Sequence, residues 1–190
     1  MLDPQIFRCV ALSFGLLFIL AGAHKFGDRA RFTAIVSEYR VLPPHLVPAA
    51  AVLVPLMELF AGSLWMVSVF SLQAATVLPL ASSALLLIYG LSIAINLARG
   101  RSHIDCGCSF ASSHSDSARG QLLSVWLVAR NLLLACLALV PLLAVSGRNL
   151  TMMDHGLLIL TTLTALLYYA AFNQLLLNRG AIASWREARG

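Results

Sequence analysis

Long apolar stretches separated by short polar segments dominate the chain. Five of these stretches approach the ~20 residues that a helix needs to cross a ~30 Å hydrocarbon layer. None of them alternates apolar and polar positions as the strands of a membrane β-barrel do, so their backbone groups must be satisfied within helices. The pattern predicts spanning helices over residues 6–23, 47–69, 74–98, 121–145 and 152–177.

Composition agrees with this architecture. The 190 residues are 59% hydrophobic and 11% charged, and the mean hydropathy of +0.85 lies outside the range of soluble domains. We therefore predict an all-α integral membrane protein that forms one polytopic domain over residues 1–190, with the lipid bilayer as its solvent. The net charge of +5 does not indicate nucleic-acid binding, because the basic residues stand at helix ends and not in a stripe with interleaved aromatic residues.

Two polar segments interrupt the apolar pattern on the same side of the membrane, which we call side B. The segment 24–46 carries Phe32, Ile35, Val36 and Tyr39 at helical spacing and predicts a short amphipathic helix at the interface. The segment 99–120 is rich in Ser and Gly and holds the only plausible reactive loop. Side B also carries most of the basic residues, which predicts by the positive-inside rule that it is cytoplasmic.

Cys106-Gly107-Cys108 is the sharpest chemical feature of the sequence. Two thiols one residue apart can exchange with the disulfide of a partner, each resolving the other, and a disulfide across so short a spacing is labile. His103 would raise the thiolate fraction by lowering a thiol pKa. The alternative is that two cysteines fell in this loop by chance.

A metal site in the same loop is the second chemical interpretation. The segment offers soft and borderline ligands: His103, Asp105, Cys106, Cys108 and His114. Zinc sites favour cysteine pairs two to four residues apart, so the spacing argues against a structural metal, and we predict none. No cofactor is predicted either, and the sequence leaves open whether a quinone binds.

Ionisable residues inside the spans are functional candidates by default. Glu58 and Arg130 lie at depths within ~3 Å of each other at 1.5 Å per residue, which predicts a buried ion pair. Further polar residues on the side B half of the spans predict a small polar cavity that opens to side B; they are His24, Lys25, Asn96 and Asn131. The alternative is that the ion pair only fixes the register of the helices.

Cys9 and Cys136 lie inside spans and are interpreted as small hydrophobes; the alternative is a pair that relays electrons across the membrane.

Several short motifs, taken in order, carry a resemblance to a known family. They are LLFILAGAHKF at 16–26, YRVLPP at 39–44, PLMEL at 55–59, NLARG at 96–100, DCGC at 105–108 and RN at 130–131. Together they resemble the MauE family of DoxX-like redox-associated membrane proteins over residues 6–145. The resemblance implies a four-helix DoxX-like bundle, here with one further C-terminal helix, in the inner membrane of a bacterium.

The resemblance also implies a role in methylamine utilisation. Its members are needed to produce the disulfide-rich light (β) subunit of methylamine dehydrogenase, together with the thioredoxin-like protein MauD. Disulfide formation belongs in the periplasm, whereas the charge distribution places the Cys106–Cys108 loop in the cytoplasm, so the sequence leaves its side undecided. A membrane scaffold for the partner and the subunit, and a small transporter that uses the polar cavity, remain alternative functions.

Overall fold

A computed structural model describes residues 2–71, 76–101, 123–148 and 150–187, with the side chains of 177 and 179–187 excluded. It is all-helical, as predicted. The helices are α1 (Pro4–Gly27), α2 (Arg29–Tyr39), α3 (Val47–Ser71), α4 (Val77–Ala98), α5 (Val125–Ala138) and α6 (Met152–Glu187). Short 3₁₀ turns precede α3 at Pro44–Leu46 and follow α5 at Val140–Leu142.

The prediction of five membrane helices is confirmed. Five segments of the described chain are long and apolar enough to span a bilayer: Pro4–Gly27, Pro44–Ser71, Val77–Ala98, Val125–Leu142 and Met152–Leu176. The fourth begins later than the hydropathy pattern predicted, because Leu123 and Ser124 precede the helix in non-helical backbone. The last helix runs beyond its apolar part to Glu187.

The predicted amphipathic helix is α2, and its ends follow from local chemistry. Asp28 separates it from α1 and caps it, since the Asp28 carboxylate accepts a hydrogen bond from the Arg31 amide at 3.1 Å. Arg40 ends the helix in the left-handed region at φ 46°. Pro43 and Pro44 then prevent the helix from continuing into α3.

The spanning helices pack as two close pairs, α1 with α3 and α4 with α5, and α6 lies along α1. Phe14 and Trp65 stack between α1 and α3, with ring centroids 5.7 Å apart. The Trp65 indole N–H donates to the Ser82 hydroxyl at 2.9 Å and so ties α3 to α4. A satisfied indole N–H matters here, because an unpaired donor in a lipid-like interior costs several kcal/mol.

The N-terminus is fastened to the segment between α5 and α6. The Leu2 amide donates to the Ala144 carbonyl, the Ser146 amide donates to the Leu2 carbonyl, and both bonds are 2.8 Å long. Next to this bridge the Arg148 guanidinium lies 3.2 Å from Asp3 and 3.1 Å from Asp154. These contacts hold the N-terminus and the start of α6 at the membrane side opposite side B.

Acid is expected to weaken this exposed clamp. The Gln5 amide and then Arg148 lower the pKa of the Asp3 carboxyl. A carboxyl with a lowered pKa in the folded state contributes stability above its unfolded pKa and loses it as the pH falls through the folded pKa. The stabilising effect of Asp3 should therefore be present at pH 7 and decrease as the pH falls through its lowered pKa.

The measurement is thermal unfolding of the wild type and Asp3→Asn between pH 7 and pH 3. Asp3 is the N-cap of α1, and asparagine is also a good N-cap, so the substitution removes the charge and keeps the cap. We expect the wild type to have the slightly higher Tm at pH 7, and the difference to shrink as the pH falls below the ordinary range of an aspartate pKa. A difference that does not change with pH would contradict the role of the charge.

Candidate functional site: a charged cluster between the membrane helices

A buried ion pair joins α1 to α3 in the middle of the bundle. The Lys25 ammonium donates to Glu58 Oε1, and the two side chains are 5% and 1% exposed. The hydroxyl of Tyr89 on α4 donates to the same Oε1 at 2.7 Å and accepts from Lys25 Nζ at 3.3 Å. Three helices thus contribute one group each to a compact cluster of charge and hydrogen bonds.

Aromatic rings surround the ammonium of Lys25. Its Nζ lies 4.7 Å from the centroid of the Tyr89 ring and 5.4 Å from that of Phe32 on α2. Both distances are within the range in which a cation is attracted to a ring face. The rings therefore hold the cation where the apolar surroundings alone would disfavour it.

Arg130 on α5 brings α6 into the site. The Arg130 guanidinium donates to the Asn173 side-chain oxygen and lies 5.6 Å from the Tyr169 ring centroid. Arg130 and Asn173 are both buried. The cluster thus includes the C-terminal helix, which lies beyond the four-helix bundle that the resemblance implied.

A cavity of about 40 Å³ lies among these side chains. Five of the six residues predicted to form the polar cavity line it: His24, Lys25, Glu58, Arg130 and Asn131. Asn96 does not, and its side-chain amide donates to the Ser92 carbonyl at 3.0 Å instead. A space of this size has room for about three waters, since a single water needs only ~10–15 Å³ of this kind of volume.

The pairing of Glu58 differs in part from the sequence prediction. Glu58 and Arg130 line the same cavity, as their similar depths predicted, but the carboxylate contacts Lys25 and Tyr89. A direct contact between Glu58 and Arg130 stays a prediction. With Lys25 neutralised by Glu58, the formal charge of these three residues is positive by one unit, which suits an anion or a hydrogen-bond acceptor.

Sequence reasoning missed three residues of the site: Tyr89, Tyr169 and Asn173. Tyr89 and Tyr169 stand in the interiors of apolar spans. Tyrosine in membrane proteins is ordinarily found at the membrane–water interface instead. Asn173 is a polar residue near the end of the last span. These departures from the usual depth preferences are the signals that would have drawn attention to them.

The predicted redox residues Cys106 and Cys108, and His103 beside them, lie outside the described residues. Cys9 and Cys136 are described and are free thiols. Cys9 is half-buried and accepts a weak hydrogen bond from the Thr162 hydroxyl at 3.9 Å, and Cys136 is exposed on the outer face of α5. Within the described ranges no three His, Cys, Asp or Glu residues are grouped so as to hold a metal ion.

Comparison with known proteins decides the family. The profile of methylamine utilisation protein MauE matches residues 4–144. The chain belongs to the MauE family. It is 32% identical to the MauE of Paracoccus denitrificans over 139 residues, which cover 73% of this chain and 69% of that protein. It is 34% identical to the MauE of Methylophilus methylotrophus over 106 residues, or 56% of this chain and 54% of that one.

A third relative supports the same family, whereas the comparison with solved structures finds no match. The MauE of Methylorubrum extorquens is 32% identical over 153 residues, which cover 76% of this chain and 73% of that protein. No solved structure is significantly similar to the chain. The MauE profile spans α1 to α5 and so includes Lys25, Glu58, Tyr89 and Arg130, whereas Asn173 lies beyond it.

Proposed function

We propose that this MauE-family protein serves methylamine utilisation in the inner membrane of a bacterium, where it supports maturation of the methylamine dehydrogenase light subunit. Membership of the family is the observation that carries the proposal, since the relatives are named methylamine utilisation proteins. The five spanning helices support a multi-pass membrane location. The partners would be the thioredoxin-like protein MauD and the light subunit itself.

The proposed reaction is thiol–disulfide exchange at Cys106 and Cys108. A thiolate attacks the partner disulfide, which gives a mixed disulfide and releases one partner thiolate; the second cysteine then attacks the mixed disulfide and releases the other. Two electrons pass from the dithiol to the disulfide, so one protein ends oxidised and the other reduced. The same chemistry runs in either direction, set by the reduction potentials of the two pairs.

The charged cluster supports this proposal through its position. Lys25 stands two residues before the end of α1 at Gly27, and Arg130 five residues after the start of α5 at Val125. Both therefore belong to the side B half of the bundle, the side on which α4 ends and α5 begins. The segment that carries Cys106 and Cys108 connects these two helices. A rigid positive site at this end would favour thiolate over thiol in groups that reach it.

The decisive experiment replaces both loop cysteines in a methylamine-growing host that lacks its own MauE. We expect Cys106→Ser/Cys108→Ser to abolish the mature light subunit at an unchanged level of the membrane protein. The matched control is Cys9→Ser/Cys136→Ser, which removes the two described thiols and should leave maturation intact. Normal maturation with the first variant would overturn the exchange reaction and favour a scaffold. A larger loss with Glu58→Gln than with the cysteine variant would favour a transporter.

Single cysteine variants give a direct readout of the partner. If one cysteine attacks and the other resolves, the variant that lacks the resolving cysteine should accumulate a mixed disulfide with MauD, visible on non-reducing gels. A membrane-impermeant maleimide reports on which side of the membrane the Cys106–Cys108 loop lies. It is applied to intact cells before and after reduction, in the Cys9→Ser/Cys136→Ser background. Labelling that appears only after reduction places an oxidised pair in the periplasm.

A further inference from the structure

A second, larger cavity lies under α2, on the other side of the charged cluster. Its volume is about 190 Å³, and its walls are nearly all apolar. They come from α2, α3 and α4, with Phe32, Ile35, Tyr39, Val54, Ile88 and Ile93 among them. Lys25 and Tyr89 line both this cavity and the small polar one, so the ion pair forms part of the wall between them.

The cavity communicates with the lipid. Ile88 lines it and is 57% exposed on the outer surface of the bundle. The gap exists because α3 packs chiefly on α1 and α4 chiefly on α5, so the α3–α4 seam is only lightly closed. The apolar face of α2 covers the side B end of this seam. A molecule dissolved in the bilayer therefore has a lateral route to Lys25 and Tyr89.

The polar end of the cavity, at Lys25, determines which charge and which functional group a bound molecule can have. The Lys25 ammonium carries three N–H donors, of which Glu58 and Tyr89 accept two. The remaining donor is on a buried group that lines the cavity. Since Glu58 already neutralises the charge of Lys25, the site offers a hydrogen bond without a net charge. It suits a neutral acceptor such as a carbonyl and not an anionic phosphate.

The size and lining select the shape of the occupant. An apolar protein cavity of ~150 Å³ binds benzene, so a cavity of this size accommodates a single six-membered ring with substituents. The rings of Phe32, Tyr39 and Tyr89 along the wall favour a flat partner, since aromatic groups pair best by stacking or by edge-to-face contact.

We propose that this cavity binds the ring of a membrane-soluble quinone. A quinone is neutral, planar and carbonyl-bearing, and its apolar tail would leave past Ile88 into the bilayer while one carbonyl accepts the hydrogen bond from Lys25. A phospholipid acyl chain would fill the apolar part but leave the Lys25 donor unused. The inference concerns binding alone and goes beyond the proposed function, because it needs neither loop cysteine.

The test is photolabelling of the full chain in phosphatidylethanolamine–phosphatidylglycerol vesicles with an azido-quinone, followed by peptide mapping. We expect labels on α2 and on α4 near Ile88, which an excess of decylubiquinone removes and decylbenzene, which has no carbonyl, does not. Ile88→Trp should block the entrance and lower labelling about tenfold, a weakening of ~1.4 kcal/mol in binding. The matched control is Leu91→Trp, because Leu91 on the same helix is 61% exposed and does not line the cavity.

Three outcomes would overturn the proposal: labels spread over all lipid-facing helices, equal labelling of the two tryptophan variants, or equal competition by decylbenzene, which would indicate a slot for acyl chains. The Cys106→Ser/Cys108→Ser variant should bind the probe as the wild type does. Its labelling therefore separates failure of the quinone site from failure of thiol exchange.

Discussion

Lys25→Met should destabilise the protein by about 3–5 kcal/mol, the cost typical of removing one partner from a buried ion pair. The substitution keeps the length and apolar stem of the side chain but leaves the Glu58 carboxylate, which is 1% exposed, without its ammonium. Water compensates little, because the adjoining cavity of about 40 Å³ has room for only a few molecules, which solvate a carboxylate less well than bulk water does. Unfolding by an SDS titration in mixed micelles would measure the loss.

Two controls separate the ion pair from the loss of packing. Lys25→Met/Glu58→Gln removes both charges and keeps a hydrogen-bond acceptor for Tyr89, so it should recover most of the lost stability. A double-mutant cycle on these positions should give a coupling of at least ~2 kcal/mol. Arg148→Gln breaks two exposed ion pairs, with Asp3 and Asp154, and should cost far less stability than Lys25→Met, because solvent screens exposed charges. A Lys25→Met variant as stable as Arg148→Gln would show that the buried pair contributes little.

Depth along the helices could be predicted from the sequence, but lateral neighbours could not. Counting residues at a fixed rise placed Glu58 and Arg130 at the same level, and both line one cavity. The count did not show that α3 packs on α1, which brings Lys25 to Glu58. It also ended the first span at Ala23, whereas α1 continues to Gly27, so that Lys25 lies in its last turn and is buried.

The apolar spans gave little information about which face is buried. In a bilayer the lipid is as apolar as the protein core, so hydrophobic residues are stable on either surface. Trp65 is 0% exposed and Phe70 is 85% exposed, although both are large aromatic residues on α3. Polarity contrast exists only at the water interface, and there the apolar face of α2 was predicted correctly from Phe32, Ile35, Val36 and Tyr39.

The close approach of α1 and α3 that brings Lys25 to Glu58 depends on glycines. A Cβ at Gly62 would lie 2.9 Å from the Ile19 amide nitrogen and 3.0 Å from the Gly15 carbonyl oxygen. Both are backbone atoms that cannot rotate away, so the helices themselves would have to separate. At Gly15 the atom in the way is the Met66 sulfur, at 2.7 Å, which belongs to a flexible side chain.

Gly62→Ala should therefore be destabilising although it replaces glycine in a helix interior. The gain in helix propensity is at most ~1 kcal/mol, and the cost of overpacking is about 1–3 kcal/mol, so the net effect should be a loss. Gly62→Leu should prevent folding, because its Cβ would already crowd the α1 backbone and the rest of the side chain adds further volume. SDS unfolding and the yield of monodisperse protein measure the two effects.

Gly15→Ala and Gly27→Ala are the matched controls on α1. Gly27 has nothing within 4 Å of an added Cβ, so Gly27→Ala should be neutral or slightly stabilising. Gly15→Ala should cost less than Gly62→Ala, because Met66 can change rotamer. Separation of α1 from α3 also lengthens the Lys25–Glu58 contact, so the losses from Gly62→Ala and Lys25→Met should not add in the double variant. Strict additivity would show that the helix spacing and the buried ion pair are independent features of the bundle.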